Sequence, residues 1–332
     1  MTDAELSSAL SAVLRPVLGT AVTITDLQVL TGGASRTTWS FTAVTESADR
    51  QLILRAGAPD DVHAGMELEA RVQALAAIAG APVPQILAAE DSPAALGSPF
   101  LICNAIAGET IVRRIQRGLD DAGRAQLLRQ CAAALAAIHR ADPTEAGLHP
   151  QDPVLLWRER LDKIGYTTAT FEWAFRWLEQ RRADLPLLTP TLVHGDFRMG
   201  NLIVDVDGGT GLAAVLDWEL VHSGQRYEDL AWFCVRAWRF GAPRELAAGG
   251  LGRIEEFLTA YENASDTVID RGAFRWWLVA ATLQWGVICC HQAHRHLSGQ
   301  TSSVELATVG RRVCETEWDL LDLLDDHDRG NR

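Results

Sequence analysis

The chain has 332 residues, 48% of them hydrophobic, and a formal net charge of −13. That length can bury a sizeable core as one large domain or as two lobes, whereas so acidic a surface repels phosphate backbones and anionic membranes and argues against nucleic-acid and membrane partners. The six cysteines (Cys103, Cys131, Cys234, Cys289, Cys290 and Cys314) show no C-x-x-C spacing and read as reduced core thiols of a cytoplasmic protein.

The N-terminus begins acidic and amphipathic, unlike a signal peptide. Residues 5–18 repeat apolar side chains at helical spacing (Leu6, Leu10, Val13, Leu14, Val17) and stop at Gly19. The period then changes to β: residues 22–30, 38–44 and 51–55 predict an antiparallel meander. Residues 66–78 return to helical spacing and end at Gly80-Ala81-Pro82. Residues 86–90 and 99–104 predict two further strands, completing a five-stranded sheet with one helix. Beyond Ala107-Gly108 long helices dominate, among them 124–139 and 171–182. They are interrupted by a strand at 191–193 and a hairpin, 202–204 with 213–216, around the Asp205-to-Gly211 turn. From Asp229 onward the spacing is helical, with a frayed acidic tail after Asp325. The most apolar stretch, Leu278 to Cys290, is interrupted by Gln284 and reads as too short to span a bilayer. A β-rich part feeding a helical part is an α+β plan of two lobes, with a cleft near 104–109 where a nucleotide would bind.

The segment Leu192-Val193-His194-Gly195-Asp196-Phe197-Arg198-Met199-Gly200-Asn201, followed by Asp217-Trp218-Glu219, carries the chemistry. Phosphoryl transfer needs an acid that orients the acceptor hydroxyl and takes its proton, plus two oxygen ligands that hold magnesium on the nucleotide phosphates. Asp196, Asn201 and Asp217 are those residue types in that order, with the D-x-x-x-x-N spacing that lets one loop deliver base and ligand together. The pattern implies an ATP-dependent kinase using Mg²⁺.

With these residues the chain resembles the aminoglycoside phosphotransferase and choline kinase family, protein-kinase-like enzymes acting on small molecules. The resemblance runs along nearly the whole chain: Gly32-Gly33-Ala34-Ser35, a strand ending in a base, an acidic helix, the His194-Gly195-Asp196 loop, and Glu228-Asp229-Leu230-Ala231-Trp232. Within that group, HGDFRMGNLIVD followed by AVLDWEL is most similar to kinase-like proteins related to the N-terminal domain of certain fused acyl-CoA dehydrogenases. The resemblance implies a protein-kinase-like two-lobe fold. Residues 1–103 would form a small antiparallel-sheet N-lobe covering the nucleotide, 104–108 a hinge, and 109–332 a larger helical C-lobe with the catalytic loop and acceptor pocket.

It also implies roles. Gly32 and Gly33, with Ala34 and Ser35, would let backbone N–H groups approach the ATP phosphates. Arg55 stands where the family's nucleotide-binding lysine would sit; Lys163 is the only lysine in the chain, so a guanidinium must do that work. Glu69 is its expected partner, with Glu67 the alternative. Cys103 and Ala105 lie in the linker that recognises the base through backbone groups. Asp196 is the expected base, Arg198 a cation facing the transferred phosphoryl group, and Asn201 and Asp217 the magnesium ligands. His194 is read as an orienter of the loop and Asp229 as its brace.

Eleven residues separate Asp217 from Asp229, too few for the activation segment of a protein kinase, which favours a small-molecule hydroxyl acceptor. Trp232, Trp238, Trp276, Trp277 and Trp285 crowd the C-terminal part and suit a large apolar acceptor, such as a hydroxyacyl-CoA, better than a polycationic sugar. Arg236, Arg239 and Arg244 offer either contacts to an anionic group such as a CoA phosphate or a solvated helix face. The run Cys289-Cys290-His291-Gln292-Ala293-His294-Arg295-His296 has no second ligand cluster and reads as the polar end of a helix rather than a zinc site. Antibiotic phosphorylation and a non-catalytic nucleotide-binding module are the alternative functions.

Overall fold

The structure is a computed structural model that describes residues 1–30, 36–57 and 64–330. The chain opens with helix α1 (Asp3–Leu18), started by a Thr2/Glu5 capping box and ended by Gly19 in the left-handed conformation. Strands β1 (Thr23–Leu30), β2 (Thr37–Val44) and β3 (Asp49–Ala56) form the meander, followed by α2 (Met66–Ile78), β4 (Ile86–Glu90) and β5 (Phe100–Asn104). The antiparallel sheet has the order β1-β2-β3-β5-β4.

Alternation along β5 shows what the two helices expected at 5–18 and 66–78 do here. Phe100 and Ile102 join Leu6, Leu10, Leu14, Phe41, Leu52 and Leu54 in a core with α1. Leu101 and Cys103 point the other way and pack with Met66 at the start of α2. The period-2 side-chain pattern of the strand thus buries both faces of the sheet.

The rest is mainly helical: α3 (Val112–Gly118), α4 (Asp121–Arg140), α5 (Pro153–Ile164), α6 (Ala169–Arg181), α7 (Tyr227–Cys234), α8 (Ile254–Ser265), α9 (Arg271–Leu297), α10 (Val304–Gly310) and α11 (Val313–Gly330). Between α6 and α7 lie β6 (Thr191–Val193), β7 (Leu202–Asp205), β8 (Gly211–Val215) and β9 (His222–Gly224). They pair as two small antiparallel ladders, β6 with β9 and β7 with β8. Helix α9 is the hub, packing on α5, α6, α7, α10 and α11.

Several expectations change. Helix α9 extends the apolar stretch to 27 residues, long and apolar enough by composition to cross a membrane, but 72% of its apolar window is buried inside the fold, which makes it a core helix. Helix α11 runs to Gly330, past Asp325, with Leu320 and Leu324 of its earlier turns in the core. Five of the cysteines are buried, whereas Cys314 is exposed.

Sheet and helical parts meet along the segment that follows β5. The Ala105 N–H donates to the Gln51 carbonyl at 2.9 Å, and the backbones of Glu109 and Val204 bond reciprocally at 2.8 and 3.0 Å. Gly108 sits at φ +147°, and a Cβ there would lie 2.5 Å from Ile203 Cγ2, so only glycine lets the chain pass this closely over the β7 strand. Farther on, the Ala64 N–H donates to the Glu219 carbonyl at 2.7 Å, which sets the approach to α2 against the segment after β8.

Candidate active site

The loop after β6 is held from beneath. Asp229, fully buried on α7, accepts the backbone N–H of His194 at 2.8 Å and of Gly195 at 2.9 Å. His139 Nε2 stands 3.2 Å from the same carboxylate, and its Nδ1 is 2.8 Å from the Tyr261 hydroxyl. Burial works against an ionised Asp229, yet the bond from His139 and the loop donors hold its carboxyl below the ordinary range. Gly195 has φ +83°, and a Cβ there would meet the Leu220 carbonyl oxygen at 2.4 Å. No other residue fits that turn.

His194 is a spacer within the loop. Its Nδ1 accepts the Asp196 N–H at 3.2 Å and its Nε2 donates to the Leu216 carbonyl at 3.0 Å. A backbone N–H only donates and a carbonyl only accepts, so the ring is neutral with its proton on Nε2. Burial lowers its pKa, in keeping with that form. One imidazole therefore ties the loop after β6 to the end of β8, and the Trp218 ring packs against it at 4.7 Å.

Asp196 is surrounded by donors. Arg198 Nε reaches both carboxylate oxygens at 2.9 and 3.0 Å, Asn201 Nδ2 donates at 2.7 Å, and the Trp232 indole N–H donates at 2.8 Å. Asn201 Nδ2 also bonds the Asp196 carbonyl at 2.9 Å, and the Leu216 N–H donates to the Asn201 carbonyl at 2.8 Å. The second bond brings Asp217, the next residue, beside the loop. Asp217 lies at φ +68°, a left-handed conformation that costs a non-glycine residue on the order of 1 kcal/mol or more.

Arg55 joins this loop to the sheet. Its Nη1 lies 3.0 Å from Glu69 Oε2 and its Nη2 lies 2.9 Å from Asp217 Oδ1. Burial opposes its charge, but the carboxylates of Glu69, Asp217 and Glu219 hold its pKa above the ordinary value. Glu69 is fully buried and shares its other oxygen with a second guanidinium, Arg36. Arg36 is anchored in turn by the Ala64 carbonyl at 2.7 Å, and Glu219 stands 3.8 Å from Arg36 and 3.9 Å from Arg55. Glu67, the alternative partner, instead exchanges bonds with Asp91 on the far side of α2.

On the other side of Asp196 lies an aromatic cluster. Trp232, whose indole holds the carboxylate, is 5.2 Å from Trp238, which is 4.7 Å from Trp285. The Arg198 guanidinium stacks 4.9 Å over Trp238. Trp276 and Trp277 are elsewhere in the core, Trp276 donating to the Leu178 carbonyl at 2.9 Å. Arg236 and Arg244 do not face a ligand as free cations; they pair with Asp319 and Asp322 of α11 at 2.5 and 2.6 Å. Cys103 is buried, its thiol pushed up to about 11 by that burial. At Ala105 the backbone N–H is spent on the Gln51 carbonyl. Gly32, Gly33, Ala34 and Ser35 lie outside the described residues.

Sequence reasoning missed Arg36, His139 and Trp232 as members of this network. Arg36 directly follows the Gly32-to-Ser35 run in the sequence, and that position was its one available signal.

Comparisons with known proteins agree with this architecture. The sequence profile of the phosphotransferase enzyme family matches residues 26–273. Acyl-CoA dehydrogenase family member 10 of Mus musculus is 30% identical over 305 residues, covering 82% of this chain and 27% of that protein. The chain thus spans about a quarter of that relative's length. Among solved structures, a putative aminoglycoside phosphotransferase from Ralstonia eutropha superposes with a TM-score of 0.76 at 24% identity, over 94% of this chain and 97% of that one. Spectinomycin phosphotransferase, solved with ADP and spectinomycin, gives 0.61 at 13% identity over 94% and 98%.

Proposed function

The chain belongs to the phosphotransferase enzyme family, and from that premise we propose that it moves the γ-phosphoryl group of ATP to a hydroxyl of a small molecule. The observation that carries this reading is the convergence of Asp196, Asn201 and Asp217 on one loop and its neighbour, with Arg55 bridging Asp217 to the sheet.

In this mechanism Asp196 orients the acceptor hydroxyl and takes its proton as the oxygen attacks the γ-phosphorus. A new O–P bond forms, the bond from the γ-phosphorus to the bridging oxygen breaks, and ADP leaves with that electron pair. Trp232 and Asn201 keep the carboxylate aimed. Arg198, which pairs with Asp196 here, swings its charge onto the phosphoryl oxygens when nucleotide and acceptor are in place.

The donor set suits magnesium. Asn201 spends its amide nitrogen on Asp196, leaving its carbonyl oxygen to a ligand, and Asp217 adds a carboxylate; both are hard oxygen donors. When bound, magnesium would neutralise phosphate charge there. The strained backbone of Asp217 supports a functional reading, because such outliers cluster at sites where the geometry is needed. Arg55 takes the place of the family's lysine, and residues 104–108 act as the hinge whose backbone meets the base.

The acceptor we propose is an apolar alcohol, with a hydroxyacyl-CoA as the first candidate. The tryptophans beside Asp196 support this, as does the similarity to an acyl-CoA dehydrogenase family member. The test is ADP release with Mg-ATP across hydroxyacyl-CoAs, amino sugars, macrolides and choline-like alcohols, in the wild type and in Asp217→Ala. Release that depends on acceptor and is lost in the variant supports the proposal and names the class. Turnover retained in Asp217→Ala removes that residue from the metal site. Binding of Mg-ATP with no transfer to any acceptor would favour a non-catalytic nucleotide-binding module.

A further inference from the structure

One polar atom beside the catalytic carboxylate has no bond. Trp238 is 6% exposed, and its indole Nε1 is buried with no hydrogen-bond partner among the described residues. An N–H left without an acceptor away from water costs about 1–3 kcal/mol. The position is what gives the orphan meaning. Trp238 lies against Trp232, whose own N–H is satisfied by Asp196 at 2.8 Å, and under the guanidinium of Arg198, which bonds the same carboxylate. Phe240 and Trp285 close its other sides, with ring centres 6.3 and 4.7 Å away.

We propose that Trp238 is a specificity-determining residue of the acceptor site, donating its indole N–H to an oxygen of the substrate a few bonds from the hydroxyl that is phosphorylated. This rests on the kinase reading above and deepens it by naming what the acceptor carries. The required group is a hydrogen-bond acceptor on an apolar body, such as the carbonyl of an amide, ester or thioester. An ammonium cannot fill the place, because it only donates and because it would sit beside Arg198. A site with an unpaired donor discriminates strongly in favour of the ligand that satisfies it, since the wrong ligand leaves the donor buried and empty. The inference therefore selects against an ammonium at this place on local chemistry, although the net charge of −13 would attract cations at long range.

A matched pair of alcohols on one carbon skeleton separates the possibilities: 3-hydroxydecanamide, which has the carbonyl, and 1-aminodecan-3-ol, which has an ammonium in its place. Two readouts are taken on the full chain. The first is the indole ¹H–¹⁵N spectrum, with the Trp238 resonance assigned by its disappearance in Trp238→Phe. The second is ADP release with Mg-ATP. The amide should move the Trp238 resonance downfield, the amino alcohol should not, and Trp238→Phe should raise KM for the amide by roughly fivefold or more with kcat and thermal stability nearly unchanged. A Trp238 resonance unmoved by the amide, an unchanged KM in the variant, or equal turnover of the two alcohols would overturn the proposal. A resonance shift without any phosphoryl transfer would instead retain the oxygen site and count against the kinase reading, so the two claims fail separately.

Discussion

Replacing Glu69 by glutamine tests how α2 is held against the sheet. The carboxylate is fully buried and gives one oxygen to Arg36 and the other to Arg55, the latter at 3.0 Å; the side chains of the two arginines are 8% and 18% exposed. Glutamine keeps the shape but loses the charge, and its amide N–H₂ turns a donor toward one of two donors. Breaking a buried pair on one side costs about 3–5 kcal/mol. Here the lower end applies, because Asp217 at 2.9 Å from Arg55, with Glu219 at 3.8 and 3.9 Å from the two arginines, still offsets both guanidiniums. Glu69→Gln should therefore lose about 3 kcal/mol in urea unfolding followed by circular dichroism and weaken Mg-ATP binding. Adding Arg36→Met removes one of the stranded charges, so the double variant should fall about 1 kcal/mol short of the sum of the single losses. A loss below about 1 kcal/mol for Glu69→Gln, the range of a surface pair, would refute the reasoning.

Further outcomes follow from the same geometry. Trp232→Phe removes one donor from Asp196 and should lower kcat by about tenfold to a hundredfold, with Mg-ATP affinity unchanged; an unaltered kcat would mean that the indole bond does not position the base. Asp229→Asn places an amide against the N–H groups of His194 and Gly195 and should cost about 3 kcal/mol in urea unfolding together with most activity, whereas wild-type stability and rate would show the loop needs no brace. Arg55→Lys should keep part of the nucleotide affinity that Arg55→Ala loses, and equal Mg-ATP binding by wild type and Arg55→Ala would remove Arg55 from the phosphate site. Burial disfavours a charged His222, but Glu228 at 2.9 Å raises it to about 9 from 6.5. With the folded value above the unfolded one, its contribution is complete below about pH 6.5 and is lost as pH rises through about 9. The ring is 27% exposed, so screening leaves about 2 kcal/mol. Urea unfolding at about pH 6 and 9.5 should show that fall and Glu228→Gln should flatten it; equal slopes in the two proteins would count against the pair.

Local signals carried most of the architecture. Gly19 marks the end of α1 and takes the left-handed cap, β1 to β5 follow their β-rich runs, and the His194-to-Asn201 spacing anticipates one loop around Asp196. The parts not foreseen depend on pairings across long stretches of chain. Arg36 meets Glu69 33 positions away, Trp232 meets Asp196 across 36, and His139 meets Asp229 across 90. Nothing in the local pattern around Arg236 or Arg244 indicates that α11 would bring Asp319 and Asp322 against them, 83 and 78 positions on. The length of α9 was also hidden, because Gln284 and the flanking polar residues interrupt a helix whose neighbours bury it all the same.

The central claim is that Asp196 serves phosphoryl transfer to an alcohol, and the most direct measurement is transfer of labelled γ-phosphate from Mg-ATP to an acceptor hydroxyl by the wild type and by Asp196→Asn. The account predicts transfer by the wild type and a rate lower by about 10²–10⁴-fold in the variant, with Mg-ATP binding retained in both. Transfer at a wild-type rate by Asp196→Asn, or Mg-ATP binding without transfer to any of the acceptor classes, would contradict it.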